Sequence, residues 1–217
     1  MVKSDRTLQN NVQDELAFDP SIKANAIGVT VEHRVVTLRG VVESYAEKLA
    51  CERAVKRVSG VHAFTDELEV DVPTLHRRDD RDIAAALVEA LRWDVTVRAE
   101  SIKAKVDEGF VILEGEADWQ FEIDNVKRAV QHLTGVRGVI SHIVLKPRVA
   151  AHDVTMKLEQ TFRRSAKIDA DRIQVEIVDG NVTLRGNVQS WSEYDDATRA
   201  AFSLPGVNRV DNLTNVF

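Results

Sequence analysis

The residues of this chain that could do chemistry are scattered rather than clustered. No two of its six histidines stand four residues apart, and the single cysteine, Cys51, has no second cysteine with which to hold a metal. Ser190, which lies in the segment VQSWS, lacks the flanking glycines of a hydrolase nucleophile, and no glycine-rich phosphate loop is present. The sequence therefore predicts no catalytic residue, no metal site and no cofactor, and we expect that the protein is not an enzyme.

Five residues are candidates for binding a membrane or a partner. Tyr45, Trp119 and Trp191 each lie just after a glycine that ends a predicted strand, near the start of a predicted helix. Trp93 follows Arg92 at the end of another predicted helix. Tryptophan and tyrosine favour the headgroup region of a bilayer, and arginine beside tryptophan suits anionic headgroups. The alternative is that these rings pack between neighbouring units of the chain.

The elements that carry these residues recur three times along the chain. The segments Val36–Gly40, Val111–Gly115 and Val182–Gly186 are equivalent at offsets of 75 and 71 residues, and a Gly-Val pair follows 20 residues after each terminal glycine. Because the repeated glycines stand alone at the ends of elements, we predict that they are structural. They are Gly40, Gly60, Gly115, Gly135, Gly186 and Gly206.

Each unit begins with a helix pattern and continues as a hairpin. Leu8, Ile83 and Val154 each open a series of apolar residues at every fourth position, with Asp82 and Asp153 as candidate N-caps. Two short alternating runs then predict two strands joined by a tight turn. In unit one the turn glycine is replaced by Arg34, so that hairpin must use another turn or hold a non-glycine residue in an unfavourable backbone region.

A second helix and a third strand complete each unit. Apolar residues return to helical spacing after the strand-ending glycine, the helix is predicted to end at the second glycine, and alternation then resumes. The fold class is therefore α+β, with three tandem αββαβ two-layer domains, each a three-stranded mixed sheet covered by two helices. The predicted domains are residues 1–72, 79–146 and 150–217.

These units resemble the BON domain, a bacterial module of osmotically inducible and transport-associated proteins. The match is closest in unit three, through Val182–Val188 (VTLRGNV) and Leu204–Leu213 (LPGVNRVDNL). Unit one matches through Val36–Val42 (VTLRGVV), and unit two diverges most, with Ile140–Ile143 (ISHI) in the last strand. The resemblance implies a non-enzymatic, stress-associated binding module that engages phospholipid surfaces or a protein partner. The alternative that it implies is a cytoplasmic sensor of potassium or another cation.

Charge and hydropathy limit the partners. The 35 acidic and 29 basic residues give a net charge of −6, whereas a general nucleic-acid binder is basic, so we expect no nucleic-acid partner. The longest apolar run, Ile83–Val88, is far shorter than the roughly 18 residues that span a bilayer. No apolar segment follows Met1, which predicts a cytoplasmic protein, or a periplasmic one if a signal sequence has been removed. The pattern does not predict an oligomeric state.

Overall fold

The computed structural model describes residues 4–96, 99–146, 172–178, 180–203, 207 and 209–216. Within them, the chain forms three domains, each with one three-stranded sheet. The first strand of each sheet pairs antiparallel with the second, and the second pairs parallel with the third. The predicted fold class, three tandem α+β domains with mixed sheets, is confirmed.

The helices and strands follow the same order in each domain. Domain 1 contains α1 (Asp5–Phe18), β1 (Ile27–Glu32), β2 (Val35–Val42), α2 (Tyr45–Arg57) and β3 (Ala63–Val70). Domain 2 contains α3 (Asp80–Trp93), β4 (Ile102–Asp107), β5 (Phe110–Ala117), α4 (Gln120–Gln131) and β6 (Gly138–Leu145). The described part of domain 3 contains β7 (Ile173–Val178), β8 (Asn181–Val188), α5 (Trp191–Phe202) and β9 (Arg209–Val216). Its predicted first helix, with Val154 and the candidate N-cap Asp153, lies outside the described residues.

Each domain has its own apolar core between its sheet and its helices. In domain 1 the helical stripe Leu8, Val12 and Leu16 packs with Val36 and Leu38 of the central strand, and all five residues are buried. Alternate residues of β2 face away from this core. The period-four and period-two patterns in the sequence therefore correspond to the buried faces of helix and strand.

The first helices begin three residues earlier than the apolar stripe, which corrects one predicted cap. Asp79, rather than Asp82, is the N-cap of α3, because its carboxylate accepts a hydrogen bond from the backbone N–H of Asp82 (2.8 Å). Asp82 is thus the third residue of the helix. In domain 1 Ser4 caps α1 in the same way, through the N–H of Thr7 (3.2 Å).

The first hairpin turn holds two non-glycine residues in the left-handed region. His33 and Arg34 have φ angles of 51° and 67°, so of the two predicted solutions the chain uses the unfavourable backbone. Asp5, the first residue of α1, stabilises this turn, since its carboxylate accepts hydrogen bonds from the N–H groups of His33 (2.8 Å) and Arg34 (2.9 Å). Asp80 does the same for Glu108 and Gly109 in domain 2. The first helix of each of these domains is thereby fixed to its hairpin.

The glycines that follow the second helices lie beyond the helix ends, contrary to the predicted boundaries. Helix α2 ends at Arg57 and α4 at Gln131, whereas Gly60 and Gly135 lie in the turns that lead to the next strand. Their φ angles of 98° and 94° show why glycine is used there. Gly206 lies outside the described residues.

Candidate functional site

Tyr45 lies at the contact between domains 1 and 2. It is the first residue of α2, and its ring packs against the core of domain 2. The side chain is hydrogen-bonded to the backbone of Val139 on β6, and its burial, with the nearby charge of Glu52, raises the pKa of the phenol. Nearby, the Nε of Arg137 donates a hydrogen bond to the carbonyl of Val70 (3.4 Å), which also joins the two domains. Tyr45 therefore belongs to an interdomain contact.

Trp191 lies at the contact between domains 3 and 1. Trp191 stands five residues after Gly186, as Tyr45 stands five residues after Gly40. These glycines lie inside β8 and β2, not at the predicted strand ends. Its ring packs against the core of domain 1 and is tilted against Tyr194, with 5.3 Å between the ring centroids. The ammonium of Lys56 on α2 and the carboxylate of Asp195 on α5 form an ion pair beside it (2.8 Å). Domain 3 is thus held to domain 1 by an aromatic ring and an ion pair.

The second helices of all three domains line one cleft of about 480 Å³. Helix α2 contributes the largest share of the wall, α4 and β6 contribute the side from domain 2, and α5 contributes the side from domain 3. Four basic and two acidic side chains line it. They are Arg53, Lys56, Lys127, Arg199, Glu52 and Asp195.

Glu52, on the wall of this cleft, has a perturbed acidity. Burial, together with a hydrogen bond to the carboxyl of Asp66, raises the pKa of Glu52 to about 7, and the charges of Lys56 and Lys48 oppose this rise. Two neighbouring carboxyl groups repel each other when both are charged, so Glu52 keeps its proton to a higher pH than an isolated glutamate does. The cleft therefore carries less negative charge at pH 7 than its side chains suggest.

This raised pKa predicts a pH-dependent stability. A carboxyl group whose pKa is about 7 in the folded chain and 4.5 in the unfolded chain holds its proton more tightly when folded, so its contribution is full below pH 4.5 and is lost as the pH rises through 7. Because Glu52 is still partly exposed and solvent screens its charge, we expect Glu52→Gln to stabilise the chain at pH 8 by only about 1 kcal/mol, or roughly 2–4 °C in melting temperature.

Melting curves at pH 5 and pH 8 test this expectation. Glu69→Gln is the matched control, because it removes the same charge from an exposed position of β3. Glu52→Gln should differ from the wild type at pH 8 and not at pH 5, whereas the control should not depend on pH in this way. An equal effect of Glu52→Gln at both pH values would contradict the assignment.

The end of α3 exposes apolar side chains beside an arginine. Trp93 is 77% exposed and Val95 is 97% exposed, and the preceding turn of α3 exposes Val88. Glu89 accepts a hydrogen bond from the indole N–H of Trp93 (2.5 Å) and lies 3.7 Å from the guanidinium of Arg92. Trp93 is therefore oriented by Glu89 but is not packed between domains.

Trp119 lies on domain 2, at the N-cap of α4. Its ring stacks on Phe121, with 6.5 Å between centroids and 22° between ring planes. Trp119 is half-buried, whereas Phe121 is exposed. This pair is separate from the cleft residues of α4, Lys127 and Gln131, which lie further along the helix.

The structure divides the five predicted residues among three kinds of place. Tyr45 and Trp191 lie between domains, Trp119 stacks on Phe121 of its own domain, and Arg92 and Trp93 are exposed together.

Sequence reasoning missed the basic cleft, because its residues come from three separate domains. One signal was available: an arginine stands 13 residues after the repeated glycine of each central strand, at Arg53, Arg128 and Arg199, and the first and last of these line the cleft.

Cys51 has the environment of a packing residue. Its side chain is fully buried in the core of domain 1, and burial raises the pKa of the thiol to about 12. Since the thiolate is the reactive form of cysteine, this thiol is unreactive at neutral pH.

In the described parts of the chain, no three His, Cys, Asp or Glu side chains form a group that could hold a metal ion. None of the described helices has both the length and the apolar character needed to cross a membrane.

Comparisons with known proteins agree with this threefold architecture. The family model described as "BON domain" matches residues 4–71, 79–147 and 151–216. The chain is 27% identical over 146 residues to "Osmotically-inducible protein Y" of Escherichia coli (strain K12), over 65% of this chain and 73% of that protein.

Two solved structures also align with the chain, both of CdsD, a structural protein of the type III secretion system of Chlamydia trachomatis. Their TM-scores are both 0.27, with identities of 14% and 13%. These alignments cover 94% and 99% of this chain, and 90% and 100% of the CdsD chains. TM-scores this low carry no information about the arrangement of the domains.

Proposed function

The chain belongs to the BON domain family, with three copies in tandem, and on this premise we propose that it is a stress-associated protein that attaches to phospholipid surfaces through the end of α3. BON domains are in general non-enzymatic binding modules. The similarity to an osmotically inducible protein supports a role under osmotic stress. The observation that carries the proposal of a membrane surface is the 77% exposure of Trp93, beside Arg92.

The chemistry of this helix end suits a headgroup boundary. An indole ring has an apolar body and a polar N–H, so it is stable where water and hydrocarbon meet. Val95 adds apolar surface next to it, and the guanidinium of Arg92 can bind headgroup phosphates. Burial of one tryptophan and one valine gives only weak attachment, on the order of a few kcal/mol.

A second exposed aromatic residue occupies the same place in domain 1. Phe18, the last residue of α1, stands 75 residues before Trp93 and is 84% exposed. Two weak contacts on one chain reinforce each other when both can reach the same surface. We therefore expect Phe18 to add to the attachment that Trp93 provides.

We expect Trp93→Ala to reduce binding to anionic vesicles at least tenfold, because it removes the largest apolar group of this helix end. The measurement is co-sedimentation with vesicles of phosphatidylglycerol and phosphatidylcholine, compared with vesicles of phosphatidylcholine alone. Leu75→Ala is the control, because Leu75 is 82% exposed but lies in the segment between domains 1 and 2 and not at the end of α3. Binding to anionic vesicles should also fall at high salt, since Arg92 contributes through its charge.

Three results would count against this proposal. Binding that survives Trp93→Ala would place the contact elsewhere on the chain. No binding to either kind of vesicle would favour a protein partner. A rise in melting temperature with potassium that sodium does not reproduce, without vesicle binding, would favour a cation sensor.

A further inference from the structure

The cleft between the three second helices has the size and lining of a small-molecule site. Its volume of about 480 Å³ lies within the roughly 300–1,000 Å³ of ligand pockets. Leu49 and Val139 supply apolar wall, while Gln131, Ser141 and the hydroxyl of Tyr45 supply polar groups. A site of this kind can hold a ligand with both an apolar part and a polar group.

The charges in this cleft favour an anion. Lys56 is paired with Asp195 across the cleft (2.8 Å), and Arg199 is paired with Asp196 (2.6 Å). Arg53 and Lys127 form no ion pair within 4.0 Å in the part of the chain that the structure describes. These two cations come from different domains and line the same space.

The acidic side chains in the cleft do not cancel these two cations. Asp195 is already paired with Lys56, and the raised pKa of Glu52, about 7, leaves its carboxyl partly protonated at neutral pH. In the described part of the chain, Arg53 and Lys127 therefore line the cleft outside any ion pair, although hydrogen bonds from Ser21 and the charge of Arg53 lower the pKa of Asp19. Phosphate groups carry one to two negative charges and accept several hydrogen bonds, so they match this combination.

We propose that this cleft binds a small phosphate-bearing anion, held between Arg53 of domain 1 and Lys127 of domain 2. The ligand class is a phosphate ester or a pyrophosphate. Because the walls come from three domains, the bound anion also stabilises the contacts between the domains. This site is separate from the exposed end of α3, so the inference does not depend on attachment to membranes through Trp93.

The test is calorimetric titration of the full chain with sodium pyrophosphate, with melting curves in pyrophosphate and in sodium chloride at equal ionic strength. We expect pyrophosphate to bind and to raise the melting temperature, because a ligand that binds only the folded chain stabilises it. The double variant Arg53→Ala, Lys127→Ala should weaken the apparent affinity at least tenfold. Both side chains are exposed and are in no ion pair with the described residues, so the variant should fold normally.

Arg128→Ala is the matched control, because Arg128 is the exposed neighbour of Lys127 on α4 but does not line the cleft. Its affinity should stay within twofold of the wild type. Trp93→Ala should also keep its affinity for pyrophosphate, which separates this site from the membrane contact. An equal loss in Arg128→Ala would overturn the proposal, because it would indicate general charge attraction.

A vesicle experiment distinguishes a soluble phosphate from a lipid headgroup. Vesicles containing phosphatidic acid are offered to the Trp93→Ala chain, with and without the two cleft substitutions. If pyrophosphate does not bind but these vesicles do, and the cleft substitutions abolish that binding, the phosphate of the site is that of a lipid. If neither probe depends on Arg53 and Lys127, the proposal is wrong.

Discussion

Gly40→Ala adds one methyl group to the sheet of domain 1 and is expected to destabilise that domain strongly. Gly40 has a φ of 144°, which side-chain-bearing residues rarely adopt, and a Cβ built there collides with the carbonyl oxygen of Ala26. The obstacle is backbone rather than a movable side chain, so β1 would have to shift. Backbone strain and overpacking together should cost roughly 2–6 kcal/mol.

Gly28→Ala provides the matched control for this prediction. Gly28 lies in β1 of the same sheet, pairs with Arg39 next to Gly40, and has ordinary space for a Cβ, with the nearest atom at 3.6 Å. Urea unfolding of both variants measures the difference. We expect Gly28→Ala to change the free energy of unfolding by less than about 1 kcal/mol. Equal losses in the two variants would refute the role assigned to Gly40.

The second large effect is expected for Glu47→Ala. Glu47 is only 7% exposed, and its carboxylate accepts hydrogen bonds from the backbone N–H groups of Lys23 (2.8 Å) and Glu43 (2.9 Å). It therefore joins the start of α2 to the segment before β1. Hydrogen bonds to a charged group contribute about 1.5–3 kcal/mol each, so alanine should cost roughly 3 kcal/mol or more.

Two further variants make the prediction for Glu47 specific. Glu47→Gln keeps one oxygen that can accept a hydrogen bond, so its loss of stability should be intermediate. Glu43→Ala removes an exposed ion pair with Lys23 and should cost less than about 1 kcal/mol. The measurement is again urea unfolding. If Glu47→Ala were no worse than Glu43→Ala, the backbone hydrogen bonds would not be the source of stability.

Both large effects fall on positions that the repeat preserves. Gly40 corresponds to Gly115 and Gly186, which have φ angles of 142° and 131° and face the same kind of backbone collision. Glu47 corresponds to Glu122 and Glu193, which stand seven residues after those glycines. Repetition therefore marks residues that build the fold, because every domain needs the same turns and caps.

Two of the proposed binding residues, Trp93 and Lys127, fall on positions that differ between units, whereas Arg53 recurs as Arg128 and Arg199. Trp93 corresponds to Phe18, and Lys127 corresponds to Glu52 and Thr198. A side chain that is not needed for the fold is free to differ from unit to unit. The repeat alone therefore could not identify Trp93 and Lys127 as candidates.

The three αββαβ units and the buried faces of their elements can be predicted from the sequence. Apolar spacing indicates which face of a helix or strand is buried, and recurrent glycines indicate backbone that other residues rarely adopt. Local signals were less exact at the ends of elements. The N-cap of α3 is Asp79 and not the predicted Asp82, because a cap depends on one hydrogen bond, which apolar periodicity does not specify.

Which aromatic rings are exposed, and which charges line the same cleft, follows from the packing of the three domains. Trp191 and Trp93 are both candidate binding residues in the sequence, yet the first packs against another domain and the second is exposed to solvent. Arg53 and Lys127 are 74 residues apart and line the same space. The physical reason is that periodicity reports burial within one domain, whereas contacts between domains depend on how the three units pack together.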